Sequence, residues 1–232
     1  MKKILLIGDS VRMGYDHYVR DRMKGLAEVC FPPENCRFTT YILRDLHNWT
    51  DALELYEADA VHWNAGLWDT LRIYGDTNLV SPETYAENID RIYRRIEFLF
   101  PTARQIFATS TPVIEEGYIP GFESRTNADI ETYNAIACRT LAGRAAINDL
   151  YALLRDCHRE LHSDQTHFYT KEGTVLIGDR VCLSLCEALG IDPRDLAPVD
   201  MDSYRPVPSL PDREAYVAKG NIFVSVRADG AK

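Results

Sequence analysis

A chain of 232 residues, 46% hydrophobic and 26% charged, has the size and balance of one soluble α/β domain with a full core. Its formal net charge of −9 argues against a nucleic-acid partner, whose phosphates are held by clustered Lys and Arg, and against an anionic membrane surface for the same reason. The charge is otherwise the ordinary acidity of a soluble protein.

The apolar run after Met1-Lys2-Lys3 is shorter than a signal peptide needs, and no later stretch reaches the ~20 apolar residues of a membrane span. The expectation is a cytoplasmic protein. Cys30, Cys36, Cys138, Cys157, Cys182 and Cys186 form no CxxC pair and no zinc-ligand spacing, which points to free thiols packed inside the fold.

Ile4-Leu5-Leu6-Ile7 is continuously apolar and ends in Gly8-Asp9-Ser10, the pattern of a strand buried on both faces. Val11, Tyr15, Tyr18, Val19 and Met23 then recur at helical spacing, up to a stop at Gly25. Residues 27–31 read as a second strand, closed by Pro32-Pro33. Leu43, Leu46, Trp49, Leu53 and Tyr56 mark one face of a second helix, and 59–63 a third strand. After a polar and aromatic loop, Ser81-Pro82-Glu83 opens the clearest helix of the chain, with Ser as cap and Pro at the first position; Pro101 closes it.

Residues 105–109 predict a fourth strand. The stretch from Val113 to Thr126 is long for a structureless loop, and such loops are functional or disordered. Asn127 is a candidate cap for the next helix, which carries Ile130, Tyr133, Ala137 and Leu141, and 145–148 is a weak fifth strand. Residues 149–160 read as a helix or short helical turns. A last helix runs from about Thr170 to Gly190, and from Asp192 the chain becomes Pro-rich. Strands alternating with helices imply a parallel sheet covered on both faces. The division is a domain over 1–192 and an extension over 193–232 packed on it.

In such sheets ligands bind beyond the carboxyl ends of the strands, which places Ser10 where chemistry is done. A serine hydroxyl needs a base to take its proton, and the usual base is a histidine oriented by a carboxylate. His17, His47 and His158 fall on polar helical faces and His62 in a buried strand. His167 differs: it sits in a short polar segment three residues after Asp164.

Gly8-Asp9-Ser10 early and Asp164-Gln165-Thr166-His167 late resemble the first and last blocks of the SGNH (GDSL-type) hydrolase superfamily of esterases and lipases, with Asn64-Ala65-Gly66-Leu67-Trp68-Asp69 in the place of its third block. The resemblance runs from about residue 3 to about residue 190 and leaves the tail uncovered. It implies a flavodoxin-like three-layer α/β/α sandwich on a five-stranded parallel sheet. By the same resemblance Ser10 is the nucleophile, His167 the general base and Asp164 its orienting acid, and no metal or cofactor is required. The oxyanion hole would be built from the Ser10 N–H, a second-block N–H and a third-block amide.

Two departures stand out. The family's third block is Gly-x-Asn-Asp, whereas Gly66-Leu67-Trp68-Asp69 has tryptophan in the amide position; Asn64 is the nearest amide, as an oxyanion donor beside Gly66 or as a structural residue. Asn35-Cys36-Arg37 falls where the second block has glycine, leaving the backbone of Cys36 or Arg37 as the donor. Asp9, Trp68 and Arg125 are the candidates for substrate contact, and the loop aromatics Trp63, Trp68, Tyr74, Tyr118 and Phe122 suit stacking on a sugar ring.

The expected function is hydrolysis of a small acyl ester, acetyl first, on a carbohydrate. The alternatives are a lipase, lysophospholipase or thioesterase on the same residues, or a binding protein that keeps the scaffold without catalysis. The expected partner is a small-molecule or carbohydrate ester; self-association is left open.

Overall fold

The apolar run at the start of the chain forms β1 (Lys2–Ile7), from which both faces of the core are built. In the computed structural model, which describes residues 1–119 and 121–204, Ile4 and Leu6 pack into one hydrophobic cluster and Leu5 and Ile7 into another. That alternation is what a pleated strand covered on both sides requires. All four side chains are 0% exposed, and burying each contributes about 1.5–3 kcal/mol.

The remaining elements follow in order: α1 (Ser10–Arg22), β2 (Ala27–Cys30), α2 (Thr39–Ala52), β3 (Ala60–Trp63), β4 (Arg72–Ile73), α3 (Pro82–Leu99), β5 (Arg104–Ala108), β6 (Glu123–Ser124), α4 (Asn127–Thr140), β7 (Ala146–Asn148), α5 (Leu150–Leu154) and α6 (Lys171–Leu189). Five parallel strands are arranged β2-β1-β3-β5-β7. Helices α1 and α6 cover one face together; α2, α3 and α4 cover the other. This is the expected three-layer α/β/α sandwich. The strand order reverses between β1 and β3, the point beyond whose carboxyl ends ligands usually bind in such sheets.

Some local readings change. β4 and β6 pair as an antiparallel ribbon, two residues each, inside segments whose sequence reads only as loop. Tyr56 lies beyond α2 and is 73% exposed, outside the helical face expected to bury it. The cap of α4 is Thr126, whose hydroxyl accepts from the Asp129 N–H; Asn127 instead bonds both the N–H and the carbonyl of Val113.

The six cysteines are free thiols, of which Cys36, Cys182 and Cys186 are buried. His62 is buried in β3, with Nε2 against the Asn148 amide. No helix among the described residues is long and apolar enough to cross a membrane. Of the Pro-rich extension, residues 193–204 are described: Ala197 exchanges hydrogen bonds with the backbone and guanidinium of Arg22, and the Tyr204 ring meets Tyr18 edge-on at 5.9 Å. Residues 205–232, including the alternation at 222–226, lie outside the described residues.

Candidate active site

The turn Gly8-Asp9 carries the chain out of β1 and directly into α1, so that Ser10 is the first helical residue. The Asp9 carboxylate caps the helix by accepting the Val11 N–H at 3.0 Å. Asp9 is 0% exposed, and burial raises its pKa against the pull of Asn64 and the Val11 N–H. Its carboxylate is turned into the protein as the helix cap, where the sequence suggests a substrate contact. Ser10 remains partly exposed, and its own N–H, one of the orphan donors of a helix start, makes no internal hydrogen bond among the described residues.

The imidazole arrives from a tight loop before α6. Asp164 Oδ1 accepts the N–H groups of Thr166 at 2.7 Å and His167 at 2.8 Å, and the His167 carbonyl accepts the Ser163 N–H, so the loop folds around the carboxylate. Asp164 Oδ2 lies 2.8 Å from His167 Nδ1, and His167 Nε2 lies 2.7 Å from Ser10 Oγ. A carboxylate at Nδ1 fixes the proton there and leaves Nε2 to accept from the serine. Partial burial would raise the Asp164 carboxyl, but the hydrogen bonds from the His167 ring and the two backbone N–H groups outweigh it and hold the pKa at about 2. The arrangement can draw a proton off Ser10 and return it to a leaving group.

The third block lies beside the serine turn. The Asn64 N–H continues the β1–β3 ladder to the Ile7 carbonyl at 3.1 Å; its side chain is buried, and Oδ1 has no partner among the described residues. Gly66 has φ of 150°, and a Cβ there would stand 2.3 Å from Ser110 Oγ, so only glycine fits. Its N–H makes no internal hydrogen bond among the described residues. The N–H groups of Ser10 and Gly66 are thus without internal partners among the described residues, while the Asn64 side chain packs against Gly8 and interacts with Asp9.

Neither second-block candidate joins them. The Cys36 N–H is bound to the Gly8 carbonyl at 3.0 Å, and the Arg37 N–H to Asn35 Oδ1 at 2.8 Å. Both donors are spent on folding the loop. Arg37, at a left-handed φ of 52°, lays its guanidinium over the Tyr41 ring. What fixes this loop is Arg12, fully buried, paired with Asp16 at 2.5 Å and donating to the carbonyls of Pro32 and Glu34. Nothing in the helical spacing of α1 distinguishes that arginine from a solvent-facing one.

Arg125 lies beside the third block. It is 7% exposed, its Nε donates to the Leu67 carbonyl at 2.5 Å, and its guanidinium also faces Tyr118. It braces the third block through Nε and Tyr118 through Nη1, and its Nη2 makes no hydrogen bond among the described residues. Trp63 is fully buried against Phe107, and Tyr118 is buried with its hydroxyl on Thr166, so neither is available for stacking. Trp68 remains partly exposed, and Tyr74, 74% exposed, meets Phe122 edge-on across the β4–β6 ribbon.

The long segment after β5 braces the loop that carries Asp164 and His167. Ile114 N–H donates to the Gln165 carbonyl at 2.8 Å and Tyr118 Oη lies 3.0 Å from Thr166 Oγ1. Asp69 closes the third block by accepting the N–H and hydroxyl of Thr39 at the start of α2. Burial raises its carboxyl, the Thr39 bonds lower it, and the pKa stands at about 7.

No protein-family model and no curated protein matches the sequence. Solved structures do match. A lipase/acylhydrolase from Enterococcus faecalis is similar at TM-score 0.62 and 20% identity, over 86% of this chain and 100% of that one. A GDSL-like lipase from Bacteroides thetaiotaomicron VPI-5482 is similar at TM-score 0.61 and 17% identity, over 81% of this chain and 89% of that one. The acetyl xylan esterase AlAXEase is similar at TM-score 0.61 and 13% identity, over 79% and 99%. The chain has the fold of this lipase/acylhydrolase, this GDSL-like lipase and this acetyl xylan esterase.

Proposed function

We propose that the protein is a serine ester hydrolase in which Ser10 attacks the acyl carbon, His167 takes and returns the proton, and Asp164 orients the ring. The observation that carries this reading is the 2.7 Å approach of His167 Nε2 to Ser10 Oγ, with Asp164 on the opposite ring nitrogen. In the acylation step the Oγ–H proton passes to Nε2 as Oγ bonds to the carbonyl carbon. The imidazolium then protonates the departing alcohol, and water repeats the sequence on the acyl-enzyme. The oxyanion would lie against the N–H groups of Ser10 and Gly66 and the Asn64 amide, each such donor being worth roughly 2.7–4 kcal/mol in the transition state.

The substrate class we infer is a small acyl ester, acetyl first, on a carbohydrate. A partly open site supports it, with the His167 side chain 23% and Asp164 41% exposed, as do the aromatic faces of Trp68 and Tyr74 on neighbouring loops. One of the similar structures is an acetyl xylan esterase. We place the protein in the cytoplasm, with the extension from Pro193 packed on the domain.

The test is turnover of p-nitrophenyl esters of increasing acyl length, followed by acetylated xylo-oligosaccharides. Fastest turnover of acetate, lost in Ser10→Ala, is expected. A kcat/KM that rises with chain length would assign the site to a lipase or thioesterase, and undiminished turnover in Ser10→Ala would remove the serine from the mechanism.

A further inference from the structure

Tyr169 stands two residues past the imidazole, in a position that composition and motif leave unremarked. Its hydroxyl donates to the Ser10 carbonyl at 2.6 Å, and its ring lies nearly parallel to that of His167, at 4.6 Å between centroids and 20° between planes. The Cδ1–Cε1 edge of the ring rests on α1 at Gly14, where a Cβ would come within 2.7 Å of both carbons. Glycine inside a helix is unfavourable, so this one is explained by the room it leaves for the tyrosine. A single side chain therefore touches both the backbone of the proposed nucleophile and the face of the proposed base.

We propose that Tyr169 is a positioning residue that sets the distance and angle between Ser10 and His167 and holds the face of the imidazolium formed during attack. The inference rests on the hydrolase reading above. When the Oγ–H proton moves to His167 Nε2 and Oγ bonds to the acyl carbon, the ring gains a positive charge directly over the tyrosine face, an arrangement that favours the cation. Burial pushes the phenol above its usual range, so the hydroxyl stays a neutral donor to Ser10 throughout the working pH range. The hydroxyl and the ring face on His167 are both engaged by the protein, which distinguishes the arrangement from a substrate contact.

The experiment compares Tyr169→Leu with Tyr169→Phe, using p-nitrophenyl acetate and the folded fraction of each variant. Tyr169→Leu is expected to lower kcat about tenfold with KM within about twofold of the parent. Tyr169→Phe, which keeps the stacked ring, is expected to recover most of that loss. Gly14→Ala, which pushes on the ring from α1, should lower kcat in the same sense. A Tyr169→Leu variant with unchanged kcat, or one whose loss lies wholly in KM, overturns the inference. A crystal structure of Tyr169→Leu decides independently of activity: His167 Nε2 still 2.7 Å from Ser10 Oγ would overturn it, and a displaced ring would support it even if the parent proves inactive on every ester.

Discussion

Asp164 and Asn64 both carry carbonyl oxygens, yet their surroundings give them opposite tasks. Asp164 is held ionised by a ring N–H and two backbone N–H groups. Replacing it by Asn puts a donor against His167 Nδ1, favours the wrong tautomer and should reduce kcat by roughly 10³–10⁴-fold with little change in fold. Because the folded pKa of about 2 lies below the usual 3.8, Asp164 contributes stability above pH ~4 that is lost as pH falls through 2. Denaturant titrations of the Asn variant should lack that acid-side loss. Asn64→Ala should leave folding intact and lower kcat by about 10²–10³-fold if its amide faces the oxyanion, as measured by steady-state kinetics; a change below twofold would make it a purely structural residue. The candidate triad could be read from the sequence because each block is local, a strand end followed by Gly-Asp-Ser and a four-residue Asp-x-x-His. The surroundings of Asp9, Cys36, Arg37 and Arg125 could not be read from the sequence. Whether an N–H or a guanidinium is free depends on partners far along the chain, as when Gly8 takes the Cys36 N–H and Leu67 takes Arg125.

Among the elements, helices were readable where their ends carry their own signals. Ser81, with Pro82 behind it, caps α3 as its residue types predict. The ribbon of β4 and β6 was not, since strands of two residues leave no alternation to detect. Nor was the closure of α2, whose cap residue Phe38 offers no side-chain acceptor and whose first N–H goes instead to Asp69, thirty residues away. Thr126→Ala should cost α4 about 1 kcal/mol, because Thr126 and not Asn127 accepts the Asp129 N–H; thermal unfolding measures it. A larger loss from Asn127→Ala is a separate matter, since that residue holds the loop at Val113.

At the scale of the whole molecule, the sheet order is what brings together residues 157 positions apart. The same packing buries two titratable groups with opposed effects on stability. Asp69 has a folded pKa of about 7, above its usual 3.8, so the unfolded chain releases a proton first and stability falls as pH rises from ~4 to ~7. His62, desolvated to about 3 from 6.5, makes stability fall in the other direction, as pH drops from ~6.5 to ~3. Asp69→Asn keeps an acceptor for Thr39 while removing the first slope, so its stability relative to the parent should rise between pH 4 and pH 7 in urea titrations. Parallel curves would show that Asp69 ionises normally in the folded protein.

The most direct measurement is reaction of the folded protein with a fluorophosphonate probe, with the adduct located by peptide mass spectrometry. One adduct on the peptide containing Ser10, slowed in His167→Ala and absent in Ser10→Ala, is the expected result. Folded protein that takes up no label, or takes it up elsewhere while Ser10→Ala still hydrolyses esters, would contradict a hydrolase built on that serine.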